Sequence, residues 1–111
     1  MEPDDISHQC AFHVTQYQKP DPSKDSYKFD VIIKDANGNE IGSVYGAVAT
    51  GPIEVKSSLP LPLIVTAGNV DADAVLFSYG DQHWGSNDQA HHCNFGKYDS
   101  GNRDGDCGFA C

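Results

Sequence analysis

A stretch of strong alternation between apolar and polar residues constrains the fold of this chain more than any other feature. Within residues 27–35 every second side chain from position 27 to position 33 is apolar: Tyr27, Phe29, Val31 and Ile33. A period of two predicts a half-buried β-strand. Residues 36–39 follow and contain the pair Asn37-Gly38, which is typical of a type I′ hairpin turn because both residues tolerate positive φ. Residues 40–50 are predicted to return as the second strand of an antiparallel hairpin.

Further strands are predicted on both sides of this hairpin. Residues 8–17 alternate, with Cys10, Phe12 and Val14 on one face, and residues 53–56, 63–67 and 74–79 form short apolar runs. Residues 18–26 are predicted as a loop, and the chain after residue 80 as a turn-rich tail pinned by cysteines. Six or seven short strands predict an all-β fold, either a β-sandwich or a flattened barrel. We expect one domain over residues 1–111, with residues 1–7 flexible.

Four cysteines occur in the 111 residues: Cys10, Cys93, Cys107 and Cys111. An even number in a short chain predicts a disulfide framework with three possible connectivities. A metal site is disfavoured because paired Cys-x-x-Cys sequences are absent and Cys10 lies far from the others. Disulfides are typical of extracellular proteins, so we expect a secreted domain. Loop lengths alone leave the pairing of the four cysteines open.

The charge of the chain excludes several partners. There are 16 acidic and 7 basic residues, a formal net charge of -9, and no Lys or Arg between Lys56 and Lys97. Nucleic-acid binding requires the opposite, a basic surface that neutralises phosphates. Anionic lipid headgroups are repelled for the same reason, and no apolar stretch is long enough to span a bilayer. We therefore expect a soluble monomer.

The N-terminal segment is acidic and polar and does not have the character of a signal peptide. We interpret the chain as the mature form of a secreted protein, with Met1 as an added start.

Enzymatic signatures do not select a catalytic residue. Gly-x-Ser-x-Gly, a phosphate-binding loop and His-Glu-x-x-His are missing from the sequence. A glycosidase needs two carboxylates roughly 5–9 Å apart across a cleft, and nothing in the sequence selects such a pair. We expect a non-enzymatic protein without a cofactor, with β-glucan hydrolysis as the weaker alternative.

Tyr79, Asp81 and Trp84 form an aromatic and acidic cluster at a predicted strand end. Exposed aromatic rings stack on sugars, and carboxylates accept hydrogen bonds from sugar hydroxyls, so this cluster is a candidate carbohydrate site. In the alternative interpretation both rings pack in the core, as large aromatic side chains usually do.

An acidic segment, residues 99–106, is a candidate calcium loop through Asp99, Asp104 and Asp106. It does not have EF-hand spacing, and a solvated turn-rich loop, with Arg103 paired to Asp99 or Asp104, is the favoured interpretation.

His83, His91, His92 and Cys93 are residue types that ligate zinc. Adjacent histidines on an extended chain point to opposite faces, so we predict no metal.

Several short motifs resemble the thaumatin-like proteins, and they occur in that family's order. They are Cys10-Ala11-Phe12-His13-Val14, His83-Trp84-Gly85-Ser86, Cys93-Asn94-Phe95, Asp99-Ser100-Gly101 and Gly105-Asp106-Cys107-Gly108. The resemblance implies a reduced thaumatin-like β fold. It also implies the pairing Cys107–Cys111, which leaves Cys10–Cys93.

The tail, residues 98–111, is similar to small secreted proteins of filamentous fungi that end in Asp-Cys-Gly-Phe-x-Cys. Some of those proteins are elicitors that trigger a hypersensitive response in plants. The resemblance implies a secreted, non-enzymatic effector or elicitor recognised by a plant cell-surface or wall component. The alternative is a carbohydrate-binding antifungal or wall-binding protein of thaumatin-like type, acting on β-glucan or chitin.

Overall fold

The computed structural model describes residues 9–18, 26–68, 73–99 and 101–111. The predictions for residues 1–7 and for most of the loop at 18–26 lie outside these ranges, as do residues 69–72 between two of the predicted strands. The described strands are β1 (Gln9–Tyr17), β2 (Lys28–Lys34), β3 (Glu40–Val48), β4 (Ile53–Val55), β5 (Leu63–Thr66), β6 (Leu76–Tyr79), β7 (Gln82–Gly85), β8 (Asn94–Phe95) and β9 (Asn102–Ala110). A single-turn 3₁₀ helix, Gln89–His91, lies between β7 and β8. In the described ranges, no helix has the length and apolar character needed to cross a lipid bilayer.

The strands form two antiparallel sheets rather than one closed barrel. The larger sheet has the order β3-β2-β1-β9-β8, and the smaller has the order β4-β5-β6-β7. Their inner faces pack together, and Phe12 of β1 meets Phe77 of β6 with ring centroids 4.8 Å apart. The all-β prediction is confirmed, and of the two predicted architectures the structure has the sandwich.

Strand periodicity explains why the core lies between the sheets. Successive side chains of a strand point to opposite faces, so residues two apart share an environment. The predicted inward faces of β1 and β2 are buried, and the smaller sheet supplies the opposing layer of Val55, Leu63, Val65, Phe77 and Trp84. Burying one such side chain contributes about 1.5–3 kcal/mol, so these alternating faces hold the two sheets together.

The β2–β3 hairpin is confirmed, but its predicted type I′ turn is wrong. Gly38 has a φ of 85°, whereas Asn37 is not among the positive-φ residues, as a type I′ turn would require. The Gly38 N–H instead donates to the Asp35 carbonyl at 3.0 Å. The Asp35 carboxylate accepts the N–H groups of Asn37 and Asn39, each at 2.9 Å. This side-chain acceptor stabilises a three-residue loop with one left-handed glycine, an arrangement that also suits strand twist. The same bonds lower the pKa of Asp35, that from Asn39 most strongly.

Three described strands, β7, β8 and β9, lie where the sequence predicts a turn-rich tail. β7 forms a tight hairpin with β6, and β9 inserts between β1 and β8. Glycine, aspartate and asparagine are depleted in strands, which is why β9 is not apparent from composition. Its inward residues nevertheless alternate as Gly105, Cys107 and Phe109, all buried. Pairing with the whole of β1 stabilises this strand despite its weak local preference.

Both predicted disulfides form, but the pairing implied by the family resemblance is wrong. The bonds are Cys10–Cys111, with Cα atoms 5.8 Å apart, and Cys93–Cys107, with Cα atoms 4.1 Å apart. The extended conformation of β9 explains the difference. A strand rises about 3.3 Å per residue, which places Cys107 roughly 13 Å from Cys111, beyond the roughly 7 Å limit for a disulfide.

Candidate functional site

The solvent-facing side of the larger sheet carries a polar row that crosses three strands. His13, Thr15 and Tyr17 face outward on β1, because the alternate residues of β1 are buried. The antiparallel register places His13 opposite Asp106 and Thr15 opposite Asp104 on β9. On the other side of β1, Thr15 lies opposite Asp30 of β2. We call these six residues the outer ladder: His13, Thr15, Tyr17, Asp30, Asp104 and Asp106.

Hydrogen bonds fix the half of the outer ladder that joins β1 to β9. Nδ1 of His13 lies 2.8 Å from Oδ1 of Asp106, and Nε2 lies 3.4 Å from Oδ1 of Asp104. The hydroxyl of Thr15 donates to the same Asp104 oxygen at 2.5 Å. The Asp104 carboxylate therefore contacts two side chains of β1, His13 and Thr15. The carboxylates of Asp104 and Asp106 are held at defined positions while remaining exposed.

The other half of the outer ladder joins β1 to β2 and β3. The Tyr17 hydroxyl donates to Oδ2 of Asp30 at 2.6 Å, and Oδ1 of Asp30 accepts the Gly46 N–H at 2.8 Å. The hydrogen bond to Asp30 raises the pKa of Tyr17, because ionisation would lose that bond and place two anions together. Both oxygens of the Asp30 carboxylate are thus engaged.

A β-bulge on β3 positions the neighbouring aromatic side chain. Phe29 pairs with Ala47 and Val31 with Val44, so a register shift lies between them. Asp30 consequently opposes two residues, Tyr45 and Gly46, which is the defining count of a bulge. The side chain of Tyr45 is left 64% exposed beside the Asp30 end of the outer ladder.

The outer ladder offers hydrogen-bond acceptors, a hydroxyl, an imidazole and a nearby phenol ring on a rigid sheet. Ionised carboxylates accept hydrogen bonds only, so they suit hydroxyl or N–H donors on a partner. Exposed tyrosine provides a flat apolar surface with a polar tip. This arrangement can recognise a polar partner surface. The period-two spacing of His13, Thr15 and Tyr17 shows that these residues share one face of β1. It does not show which residues of β9 lie beside them, because that depends on the β1–β9 register.

The predicted aromatic candidates lie elsewhere and are buried. Trp84 is 5% exposed and Tyr79 is 6% exposed. Trp84 stacks on His91 with centroids 4.1 Å apart, and Tyr79 packs on Phe109 at 5.0 Å. The predicted role in sugar stacking therefore gives way to the core-packing alternative for both rings. Asp81, the third member of that cluster, is exposed in the β6–β7 turn.

The predicted acidic loop at residues 99–106 is largely strand. Asp99 exchanges backbone hydrogen bonds with Asn102 in a turn, whereas Asp104 and Asp106 lie on β9 within the outer ladder. Arg103 pairs with neither predicted aspartate: its bonds go to the Gln16 side chain and the Asp73 carbonyl. Across the described ranges, no group of three or more His, Cys, Asp or Glu side chains is arranged to hold a metal ion.

The three histidines named as potential zinc ligands have separate surroundings. Nδ1 of His91 donates to the Gly108 carbonyl at 2.9 Å, and its ring is stacked on Trp84. His92 has a φ of 54° and is exposed, and His83 is exposed on β7. Cys93 is in a disulfide.

Neither a protein-family model, nor a curated protein, nor a solved structure matches this chain. Its class therefore follows from its own fold and surface. It is an all-β sandwich with two disulfides and a hydrogen-bonded polar face on its larger sheet.

Proposed function

We propose that this protein is a secreted, non-enzymatic effector of fungal type that acts as an elicitor and is recognised at the plant cell surface. The observation that carries the proposal is the outer ladder, a set of exposed polar side chains held by cross-strand hydrogen bonds. Recognition surfaces gain affinity when their groups are ordered before binding, because less conformational freedom is lost. The similarity of residues 98–111 to fungal elicitors supports the same assignment.

The two disulfides support action outside the cell and make the proposal testable. One bond ties Cys10 at the start of β1 to Cys111, and the other ties Cys93 to Cys107 on β9. β1 and β9 carry five of the six outer-ladder residues between them, with Asp30 on β2 as the exception. Reduction should therefore loosen the pair of strands on which the proposed surface depends, so that activity requires the oxidised fold.

The experiment is infiltration of purified protein into leaf tissue, with necrosis and an oxidative burst as readouts. We expect a response to the native protein, none to reduced and alkylated protein, and a dose requirement at least about tenfold higher for the double variant Asp104→Asn/Asp106→Asn, as loss of charged contacts on this scale predicts. These substitutions keep side-chain shape while removing two charges. The matched control is Glu40→Gln/Glu54→Gln, which removes two exposed carboxylates outside the outer ladder. A silent native protein, or equal loss in both double variants, would contradict the proposal.

The second candidate is a carbohydrate-binding wall protein, and the observation that favours it is the exposed ring of Tyr45 beside Asp30 and Tyr17. A ring with a free face next to oriented oxygen atoms is the combination that sugar recognition uses. Pull-down on insoluble β-glucan and chitin tests this function. Tyr45→Ala should abolish retention, whereas Leu76→Ala, which removes a 54% exposed apolar side chain from the other sheet, should not. Release of reducing sugar from β-1,3-glucan by the same preparation would contradict a non-enzymatic protein.

A further inference from the structure

Three neighbouring groups hold the side chain of Arg103, the one arginine of the chain, in a fixed orientation. Arg103 lies on β9 opposite Gln16 of β1. Its Nε donates to Oε1 of the buried Gln16 at 2.8 Å, and Nη2 donates to the Asp73 carbonyl at 2.9 Å. The Tyr98 ring lies 4.9 Å from the guanidinium carbon. Three groups therefore fix the plane of this guanidinium.

Those bonds occupy only one edge of the guanidinium. Arginine has five N–H donors, and the bonds to Gln16 and Asp73 use the Nε and Nη2 side. Within the described part of the chain, Nη1 donates to no protein group. An oriented fork with free donors is the group that recognises a carboxylate in a planar, bidentate manner.

A surface cavity opens beside this arginine. Its volume is about 350 Å³, which lies within the usual range for small-molecule sites, about 300–1,000 Å³. Arg103 lines it together with apolar Ala74 and Phe95 and with polar Ser86, Asn87 and Asn94. The cavity thus combines one cation, two amides, a hydroxyl and an apolar wall.

The charge distribution singles out the same region. After Lys56 the sequence contains only two cationic residues, Lys97 and Arg103. Lys97 directly follows Gly96, which also lines the cavity. In a chain of net charge -9, this is the place in the C-terminal half where an anion meets positive charge.

We infer that the cavity between β7, β8 and β9 binds an acidic sugar, a uronate, through its carboxylate. The Arg103 guanidinium receives the carboxylate, the amides of Asn87 and Asn94 bond ring hydroxyls, and Phe95 contacts the apolar side of the ring. A neutral sugar offers no carboxylate to the Nη1 donors of Arg103, and a simple carboxylate leaves the two amides without sugar hydroxyls to bond. This site is separate from the outer ladder and does not depend on the proposed function.

The test is an NMR titration in which Arg103, as the one arginine, gives the single arginine Nε–H signal. Galacturonate should shift that signal saturably, whereas galacturonic acid methyl ester and galactose should not, since they lack the charge. Acetate should bind at least about tenfold more weakly, because it lacks the hydroxyls. Equal binding of the ester, or no saturable shift with galacturonate, would overturn the site. Equal binding of acetate would overturn its assignment to a sugar.

Variants separate binding from folding. Arg103→Lys keeps the charge but loses the planar guanidinium, so galacturonate affinity should fall about tenfold or more. Because this variant has no arginine signal, its binding is followed through the backbone N–H signals of Asn94 and Phe95. Since Arg103 also bonds Gln16, Asn87→Ala provides a second variant that leaves those bonds in place, with an expected loss of about three- to tenfold. Asn37→Ala, an exposed amide in the β2–β3 turn, is the matched control and should bind as the unaltered protein does. If Asn37→Ala lost as much affinity for galacturonate as Asn87→Ala, the result would contradict the site. The leaf assay tests the elicitor proposal only, so the two proposals can fail independently.

Discussion

The ring of Trp84 occupies the centre of an aromatic cluster drawn from both sheets. Its centroid lies 6.1 Å from that of Phe12, 5.9 Å from Phe77 and 6.1 Å from Phe109, and His91 stacks on it at 4.1 Å. Aromatic pairs in such geometries contribute about 0.5–1.5 kcal/mol beyond the burial of their surface. Among the described residues, however, the buried Trp84 Nε1 has no hydrogen-bond partner. The ring stabilises the core, while its N–H group does not.

Two substitutions at Trp84 should therefore differ strongly in how much they lower the free energy of unfolding. Trp84→Ala should lower the free energy of unfolding by about 3–5 kcal/mol, because it leaves a cavity between the sheets. Trp84→Phe should cost less than about 1.5 kcal/mol, since it keeps the stacking surface and removes an unsatisfied donor. Denaturant unfolding followed by far-ultraviolet circular dichroism measures both. A loss below about 1 kcal/mol for Trp84→Ala would contradict a core role.

At the scale of elements, β9 decides the architecture of the larger sheet. It pairs along its full length with β1 and at its middle with β8. Gly105 faces inward beneath the Phe95 ring, and a Cβ atom placed there would come within 2.4 Å of three ring atoms. Gly108 on the same strand has room, since its nearest neighbours would lie 3.6 Å from a Cβ. Close packing of Phe95 on β8 against β9 thus depends on Gly105 and not on Gly108.

Alanine substitutions at the two glycines provide a matched pair on β9. Gly105→Ala should destabilise the protein by about 1–3 kcal/mol, because the Phe95 ring must move. Gly108→Ala should change stability by less than about 1 kcal/mol and in the stabilising direction, since alanine restricts the unfolded chain. Thermal unfolding of both variants measures the difference. Equal destabilisation would show that Phe95 does not pack over Gly105.

For the whole molecule, the two disulfides close loops of very different length. Cys10–Cys111 spans 101 positions and Cys93–Cys107 spans 14. A cross-link restricts the unfolded chain more when it closes a longer loop, by about 4.7 kcal/mol for a 100-residue loop and about 3 kcal/mol for a 15-residue loop. The bond that joins the start of β1 to the end of the chain is therefore expected to stabilise the fold more.

Replacing both cysteines of each disulfide by serine tests which of the two bonds stabilises the fold more. Cys10→Ser/Cys111→Ser should lose more stability than Cys93→Ser/Cys107→Ser, by about 1–2 kcal/mol. Denaturant unfolding under non-reducing conditions measures the two losses. Peptide mapping of the unaltered protein should recover Cys10 linked to Cys111, and a fragment with Cys107 linked to Cys111 would contradict the fold itself.

Local sequence patterns are sufficient to predict the early strands and their buried faces. Alternation over residues 8–17 and 27–35 predicts β1 and β2, and the buried residues are those that the pattern selects. This succeeds because a strand's two faces are set locally, by the direction of successive side chains. The four cysteines likewise indicate two disulfides without any knowledge of the fold.

The role of β9, the disulfide pairing and the outer ladder depend instead on contacts between residues far apart in the chain. The residues that bond across β1 and β9 are 89 and 93 positions apart in the chain, as for Thr15 with Asp104 and His13 with Asp106. No local pattern specifies such a register, because it results from burying Phe12, Cys107 and Phe109 in one core. That burial converts a glycine- and aspartate-rich tail into a strand, separates Cys107 from Cys111, and places two carboxylates beside His13. The strands thus follow from local periodicity, whereas the candidate sites depend on which strands the shared core brings together.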